Sequence, residues 1–251
     1  MENFVELAQL PLISRLTRLE SPISYHFRSH CAVSSVVEHY LDTVGVRGSN
    51  PLSRTTSFLM SDFSSKLNRA IGDSVQTLES LRNLEAQVRS AADLIEQCLR
   101  AGNKLLVCGN GGSATDASHF ATEFVVRFAK DRRALPAICL ASDSGILTAA
   151  ANDYGFDEIF ARQVAAFGVP GDVLICLTTS GKSKNLIRAL EEAKARKLKT
   201  IAFLGRDGGS TIGIADVDLL VKSDSTARVQ EAHQLLLHVL CEIIESRLDE
   251  R

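Results

Sequence analysis

Five short apolar runs, KLLVCG (104–109), PAICLA (136–141), DVLICLT (172–178), KTIAFLG (199–205) and VDLLVKS (217–223), recur along the second half of the chain with helical stretches between them. A strand buried on both faces reads as a near-continuous apolar run, and two parallel strands need a crossover element to join them. The alternation therefore predicts an α/β fold, a three-layer αβα sandwich around a five-stranded parallel sheet. Helices are expected to begin near Ser113, Asp157, Ser183 and Thr211, with a last one over Thr226–Leu248. Ahead of the first strand, residues 60–102 keep helical spacing, so a long N-terminal helix is expected, with Gly102 as its stop.

At 251 residues, the chain is one domain, or one domain with an appendage. Residues 1–59 hold no sustained period of either kind. Within them Gly48-Ser49-Asn50-Pro51 back-translates to GGTTCGAATCC, the signature of a transfer-RNA T-arm. The expectation is a non-native or disordered extension over 1–59, with a folded domain over 60–251 that starts at Met60. A net charge of −2 excludes a bulk electrostatic grip on nucleic acid or an anionic membrane. No apolar run approaches the roughly 18 residues that span a bilayer. Six scattered cysteines fit reduced, buried thiols better than a disulfide framework. The opening MENFVELAQLPLISRL carries early acids and Arg15, a poor signal peptide, so a cytoplasmic protein is expected.

In open parallel sheets, ligands bind at the carboxyl ends of the strands, and two of those ends are polar here. In GNGGS, Gly109, Gly111 and Gly112 allow close backbone approach to an anion, and Ser113 is placed to cap the next helix. In TTSGKS, Thr178, Thr179, Ser180 and Ser183 put hydroxyls around Gly181. Either loop alone reads equally well as a bare strand-to-helix turn; the two together predict a phosphorylated ligand. A Walker A loop is excluded, because Cys176 stands where its first glycine belongs. A dinucleotide fingerprint is weak, since its ribose-binding acid has only the distant Asp143 as candidate.

One turn beyond the first loop, His119 and Glu123 share a helix face at i and i+4. A surface hydrogen bond is the plain reading of such a pair. The last helix, ARVQEAHQLLLHVLCEIIE, sets Gln230, Glu231, His233 and His238 among leucines and valines. Gln230 and His238 stand about 80° apart on the helical wheel, so a common target has to bridge them from outside. His233, some 140° from His238, is expected to be capped or partly exposed. His119, Glu123, Gln230 and His238 together form a nitrogen/oxygen donor set of the kind zinc accepts, although spacing alone does not assign a metal.

The motifs CGNGGSATDASHFATE, ANDYGF, TTSGKS, GRDGG and ARVQEAHQLLLH closely resemble those of the sedoheptulose 7-phosphate (phosphoheptose) isomerases of the sugar-isomerase, or SIS, fold, which is flavodoxin-like. The resemblance covers the chain from Met60 onward. It implies one zinc ion per subunit on His119, Glu123, Gln230 and His238, with Glu123 and His238 as the acid/base pair. It implies substrate contacts from Asn110, Gly111, Gly112, Ser113, Glu123, Asn152, Asp153, Thr178, Thr179, Ser180, Ser183 and Gln230. A homotetramer whose sites draw on more than one subunit is implied too, with no membrane and no direct nucleic-acid binding.

By the same resemblance the reaction turns sedoheptulose 7-phosphate into D-glycero-D-manno-heptose 7-phosphate through an enediol, feeding heptose precursors of the lipopolysaccharide type. Thr178 stands where the family commonly has serine, Lys182 where some members have asparagine, and Ala227 where some carry an aspartate. Two binding-only alternatives remain open at this stage, a noncatalytic replication-initiator-associating SIS protein and a sugar-phosphate-binding module. Glu123 favours the enzyme, because the replication-associated relative lacks an acid at that position.

Overall fold

The computed structural model describes the backbone of residues 51–249 and the side chains of residues 62–248. The expected extension over 1–59 lies outside the described residues as far as residue 50. The second of two compact units, Leu59–Arg251, holds the sheet. Helix α1 runs Pro51–Ser80, a 3-10 turn occupies Leu81–Leu84, and α2 runs Glu85–Arg100. The single long helix expected over 60–102 is therefore broken in two. Gly102 takes the left-handed backbone, φ 80°, that ends it.

Strands β1 (Leu105–Gly109), β2 (Ala137–Cys139), β3 (Val173–Thr178), β4 (Lys199–Gly205) and β5 (Val217–Val221) form one sheet in the order β2-β1-β3-β4-β5. Every pairing is parallel. Helices α3 (Gly112–Val125), α4 (Ser144–Tyr154), α5 (Ala161–Phe167), α6 (Lys184–Ala195) and α7 (Thr226–Asp249) cover it. The period-2 alternation of strand side chains sorts the core into two layers. Leu105, Val107, Val173 and Ile175 pack with α2, α3 and α7 on one face. Leu106, Cys108, Leu174 and Cys176 pack with α4, α5 and α6 on the other. The five described cysteines are free thiols, four of them buried.

Three local expectations change. No α-helix forms at Thr211; Gly208 and Gly209, at φ 81° and 53°, leave only a 3-10 turn over Gly209–Thr211. The helix expected from Asp157 begins at Ala161, after a 3-10 turn over Phe156–Glu158. Helix α4 was not anticipated, because SGILTAAANDY is almost uniformly small or apolar and shows little period. Its signal is Asp143, whose carboxylate accepts from the Ile146 amide at 2.9 Å as an N-cap. That role also removes Asp143 as a ribose-binding acid.

The strand order reverses between β1 and β3: β1 sends its connection through α3 to one side, and β3 sends its own through α6 to the other. A crevice opens where two such connections diverge. The two polar loops of the sequence sit at its rim.

Candidate active site

The first loop turns from β1 into α3. A side chain at Gly109 would overlap the Ser113 carbonyl, so the strand can meet the helix this closely only at a glycine. Gly111, at φ 55°, holds the capping position that Ser113 was expected to take; Ser113 is buried in the first helical turn instead. The amides of Ser113 and Ala114 turn back on the carbonyls of Asn110 and Gly111. That leaves the exposed end of the turn at Gly111 and Gly112.

The second loop is braced from behind. Gly181, at φ 62°, packs against the Gly208 carbonyl with no room for a side chain. Its own carbonyl accepts from the Thr211 amide at 3.0 Å and hydroxyl at 2.8 Å. The Thr178 hydroxyl accepts from the Gly181 amide at 3.1 Å, and that of Ser180 from the Lys182 amide at 3.3 Å. Ser183 is the N-cap residue of α6, yet its hydroxyl makes no capping bond. Between the loops, Asn110 and Asn185 exchange two amide hydrogen bonds of 2.9 Å each, tying the glycine turn to the start of α6. Asn185 was missed in the sequence, where nothing sets it apart from any polar residue in a first helical turn.

Beyond the loops, α3 and α7 lie side by side in the same direction, touching at successive turns. Gln230 packs its carboxamide on Gly112, where a side chain would collide with it. Gln234 donates to Asp116 at 2.7 Å. His238 Nε2 lies 3.5 Å from His119 Nε2, and His119 Nε2 lies 2.9 Å from Glu123 Oε1. Positions 230, 234 and 238 step by four residues, so one row of α7 faces one row of α3. The sequence carried a signal for this seam that went unread: Gln230, Gln234 and His238 recur at every fourth position of a largely apolar helix, and Gln234 was missed.

Burial raises the Asp116 carboxyl above its usual value, against the lowering effects of Gln234 and His119. Phe128 lies over His238, ring centroids 5.7 Å apart and 33° from parallel.

Glu123, His119 and His238 thus come together. Gln230 sits two turns nearer the glycine loop and makes no hydrogen bond with them. Among the described residues no group of three or more His, Cys, Asp and Glu side chains is arranged to hold a metal ion; Glu123 is turned to His119 instead. In kind, though, two imidazoles and a carboxylate suit zinc. The 3.5 Å between the imidazole nitrogens matches the roughly 3.4 Å kept by two nitrogens of one tetrahedral zinc site.

Two other expectations fall elsewhere. Asn152 and Asp153 are exposed on α4, in the opposite helical layer, hydrogen-bonded to each other at 2.8 Å. His233 is fully buried, not capped or partly exposed: its Nε2 meets the Leu204 carbonyl at 3.2 Å, and burial pushes its pKa down to about 4.

The sheet order, the two glycine-bearing loops and the imidazole–carboxylate seam define an SIS-type protein, and the SIS-domain family model matches residues 71–205. The phosphoheptose isomerase of Geobacter sulfurreducens is 52% identical over 174 residues, covering 69% of this chain and 92% of that protein. That of Shewanella sp. strain ANA-3 is 44% identical over 187 residues, covering 73% and 95%. Among solved structures, phosphoheptose isomerase GmhA from Neisseria gonorrhoeae superposes with a TM-score of 0.70 at 41% identity, covering 73% of this chain and 99% of that one. The chain belongs to the phosphoheptose isomerase family of SIS-domain proteins.

Proposed function

We propose that this chain is an aldose–ketose isomerase that converts sedoheptulose 7-phosphate to D-glycero-D-manno-heptose 7-phosphate. One observation carries the reading: Glu123 is held against the His119–His238 pair two to three helical turns from a glycine-lined anion loop. The phosphate is received at Gly111, Gly112 and the α3 N-terminus, whose dipole and amides favour negative charge. The hydroxyls of Thr179 and Ser183, which have no partner among the described residues, face the same need from the second loop. Glu123 takes the C1 proton of the ketose and returns it to C2, and His238 moves a proton between the two oxygens of the enediol. A binding-only module has no use for a carboxylate so placed.

His119, Glu123 and His238, with Gln230 as fourth donor, would hold the zinc ion. When bound, that ion supplies positive charge beside the oxyanion that develops on the sugar.

The proposed assembly is a homotetramer. Phe63, Leu67, Ile71 and Val75 recur one turn apart on α1, each at least half exposed, an apolar stripe that a monomer leaves in water. Asn152 and Asp153 would then serve a site across a subunit boundary. Among the described residues no helix is long and apolar enough to cross a membrane, and a cytoplasmic enzyme of heptose precursor synthesis fits the reading. The test is aldose formation from sedoheptulose 7-phosphate by purified protein, with zinc and with chelator. Folded, zinc-loaded protein that makes no aldose would sink the proposal.

A further inference from the structure

The last turns of α7 carry a second acid that the chemistry above does not use. Glu245 is 4% exposed. Its Oε2 accepts from the amides of Ala129 at 3.0 Å and Lys130 at 2.9 Å, and its Oε1 from the Phe128 amide at 3.3 Å and from Arg132 Nε at 3.2 Å. Burial alone would raise this carboxyl, but the three amides and Arg132 outweigh it and hold the group below the ordinary glutamate value. Arg132 in turn donates to the carbonyls of Glu123 at 2.7 Å and Phe124 at 3.0 Å, which the end of α3 leaves without helical partners. One buried acid therefore grips the segment that carries Phe128, and through Arg132 it fixes the helix end that carries Glu123.

We propose that Glu245, acting through Arg132, is a positioning residue for the isomerisation: it sets Glu123 and, by seating Phe128 over it, the ring of His238. The inference rests on the isomerase reading of the site. Its reach is limited to the proton-transfer end. The anion loops lie at the far end of α3 and are braced independently by Thr211, Gly208 and the Asn110–Asn185 pair. A misplacement of about an ångström between reacting groups costs on the order of 100-fold in rate, so the clamp is expected to act on kcat and to leave phosphate recognition alone.

The experiment compares wild type, Glu245→Gln, Arg132→Lys and Phe128→Leu for kcat, KM, amide hydrogen exchange at residues 128–130 and the side-chain nitrogen resonances of His238. Glu245→Gln should lower kcat about 10- to 100-fold with KM within about twofold, speed exchange at Phe128–Lys130, and move the His238 resonances. Arg132→Lys should do the same more mildly. Phe128→Leu should lower kcat and move the His238 resonances while exchange at 128–130 stays slow.

Wild-type kcat in a folded Glu245→Gln protein overturns the proposal. So does a loss expressed in KM, or unmoved His238 resonances. Should Glu245→Gln fail to fold, Arg132→Lys and Phe128→Leu decide by the same readouts. An inactive wild type refutes the isomerase reading alone, because the exchange and resonance arms still report whether the clamp holds His238.

Discussion

The two ends of the sheet treat their buried polar groups in opposite ways. At the amino end, Asp172 is fully buried and saturated: it accepts from Asn103 at 3.1 Å, from the Lys104 and Val169 amides at 3.0 and 2.9 Å, and from Lys104 Nζ at 2.6 Å. Close by, the fully buried Thr200 donates its amide and hydroxyl to the exposed Asp216 at 2.8 Å each, and its hydroxyl accepts from the Asp216 amide at 2.9 Å. At the carboxyl end, one oxygen of Asp116, Arg228 Nε, the Gln234 carbonyl and His233 Nδ1 are buried without a partner among the described residues. One oxygen of Asp218, at the start of β5, is the amino end's single exception among the described residues. A saturated cluster stabilises the fold. An unsaturated one costs stability and survives where its groups serve something other than folding. Stability and function should therefore separate by mutation, the saturated cluster carrying one and the polar seam of α3 and α7 the other.

The sharpest separation is at Glu123. Glu123→Gln keeps the shape and a hydrogen bond to His119 but removes the base, and proton transfer of this kind contributes about 10²- to 10⁴-fold in rate. We expect kcat to fall by that range with the melting temperature held within a few degrees. A Glu123→Gln enzyme with near-wild-type turnover breaks the comparison at once, since its central carboxylate would then be structural.

Asp172→Ala is the mirror experiment. It strands the Lys104 ammonium and the amides that the carboxylate binds, and should cost about 3 kcal/mol of stability, read by urea unfolding. The kcat of the folded fraction should not move. The partners of Asp172 overcome its burial and hold its folded pKa below 3.8. Its contribution is therefore present above pH 3.8 and lost as pH falls through the folded value.

His233 carries the same test into pH. Burial depresses its folded pKa to about 4 from 6.5, so the unfolded chain takes up a proton first as the solution is acidified. Stability should decline from pH 6.5 down to about pH 4, by as much as about 3 kcal/mol. His233→Leu should flatten that stretch of the stability–pH curve. Asp116, whose folded pKa is raised, works in the opposite sense and moderates the slope; a His233→Leu curve as steep as that of wild type would mean that His233 is not buried neutral.

Much of this contrast was legible in the sequence, and the gaps have physical causes. Apolar runs gave all five strands; β1, β3 and β4 are buried on both faces and leave no polar alternation to misread, while the edge strands β2 and β5 are only partly covered yet keep their apolar runs. The glycine loop, His119, Glu123 and His238 were legible because their residue types are rare in such positions. Asp172 and Asn185 were not, since a polar residue beside a strand or in a first helical turn looks the same whether saturated or exposed. Helix α4 was lost to a stretch with little period.

The smallest effect tests the boundary between the two behaviours. The Asn110–Asn185 pair is saturated like the amino end, yet it sits in the carboxyl-end crevice, and Asn185 is 2% exposed. If it serves only stability, Asn185→Ala should cost about 1–2 kcal/mol for its neutral hydrogen bonds and leave both kinetic constants alone. We expect more: Asn110, released, no longer holds the glycine turn in one orientation, so KM should rise severalfold while kcat stays put. Asn185→Asp separates the two causes. It keeps the shape and can still accept from the Asn110 amide, but it adds a negative charge beside the anion loop. KM should therefore rise further than in Asn185→Ala, with a stability loss at least as large, because a buried carboxylate then faces the Asn110 carbonyl oxygen. A drop in kcat at unchanged KM in either variant would put the pair at the proton-transfer end and erase the division of labour between loops and seam.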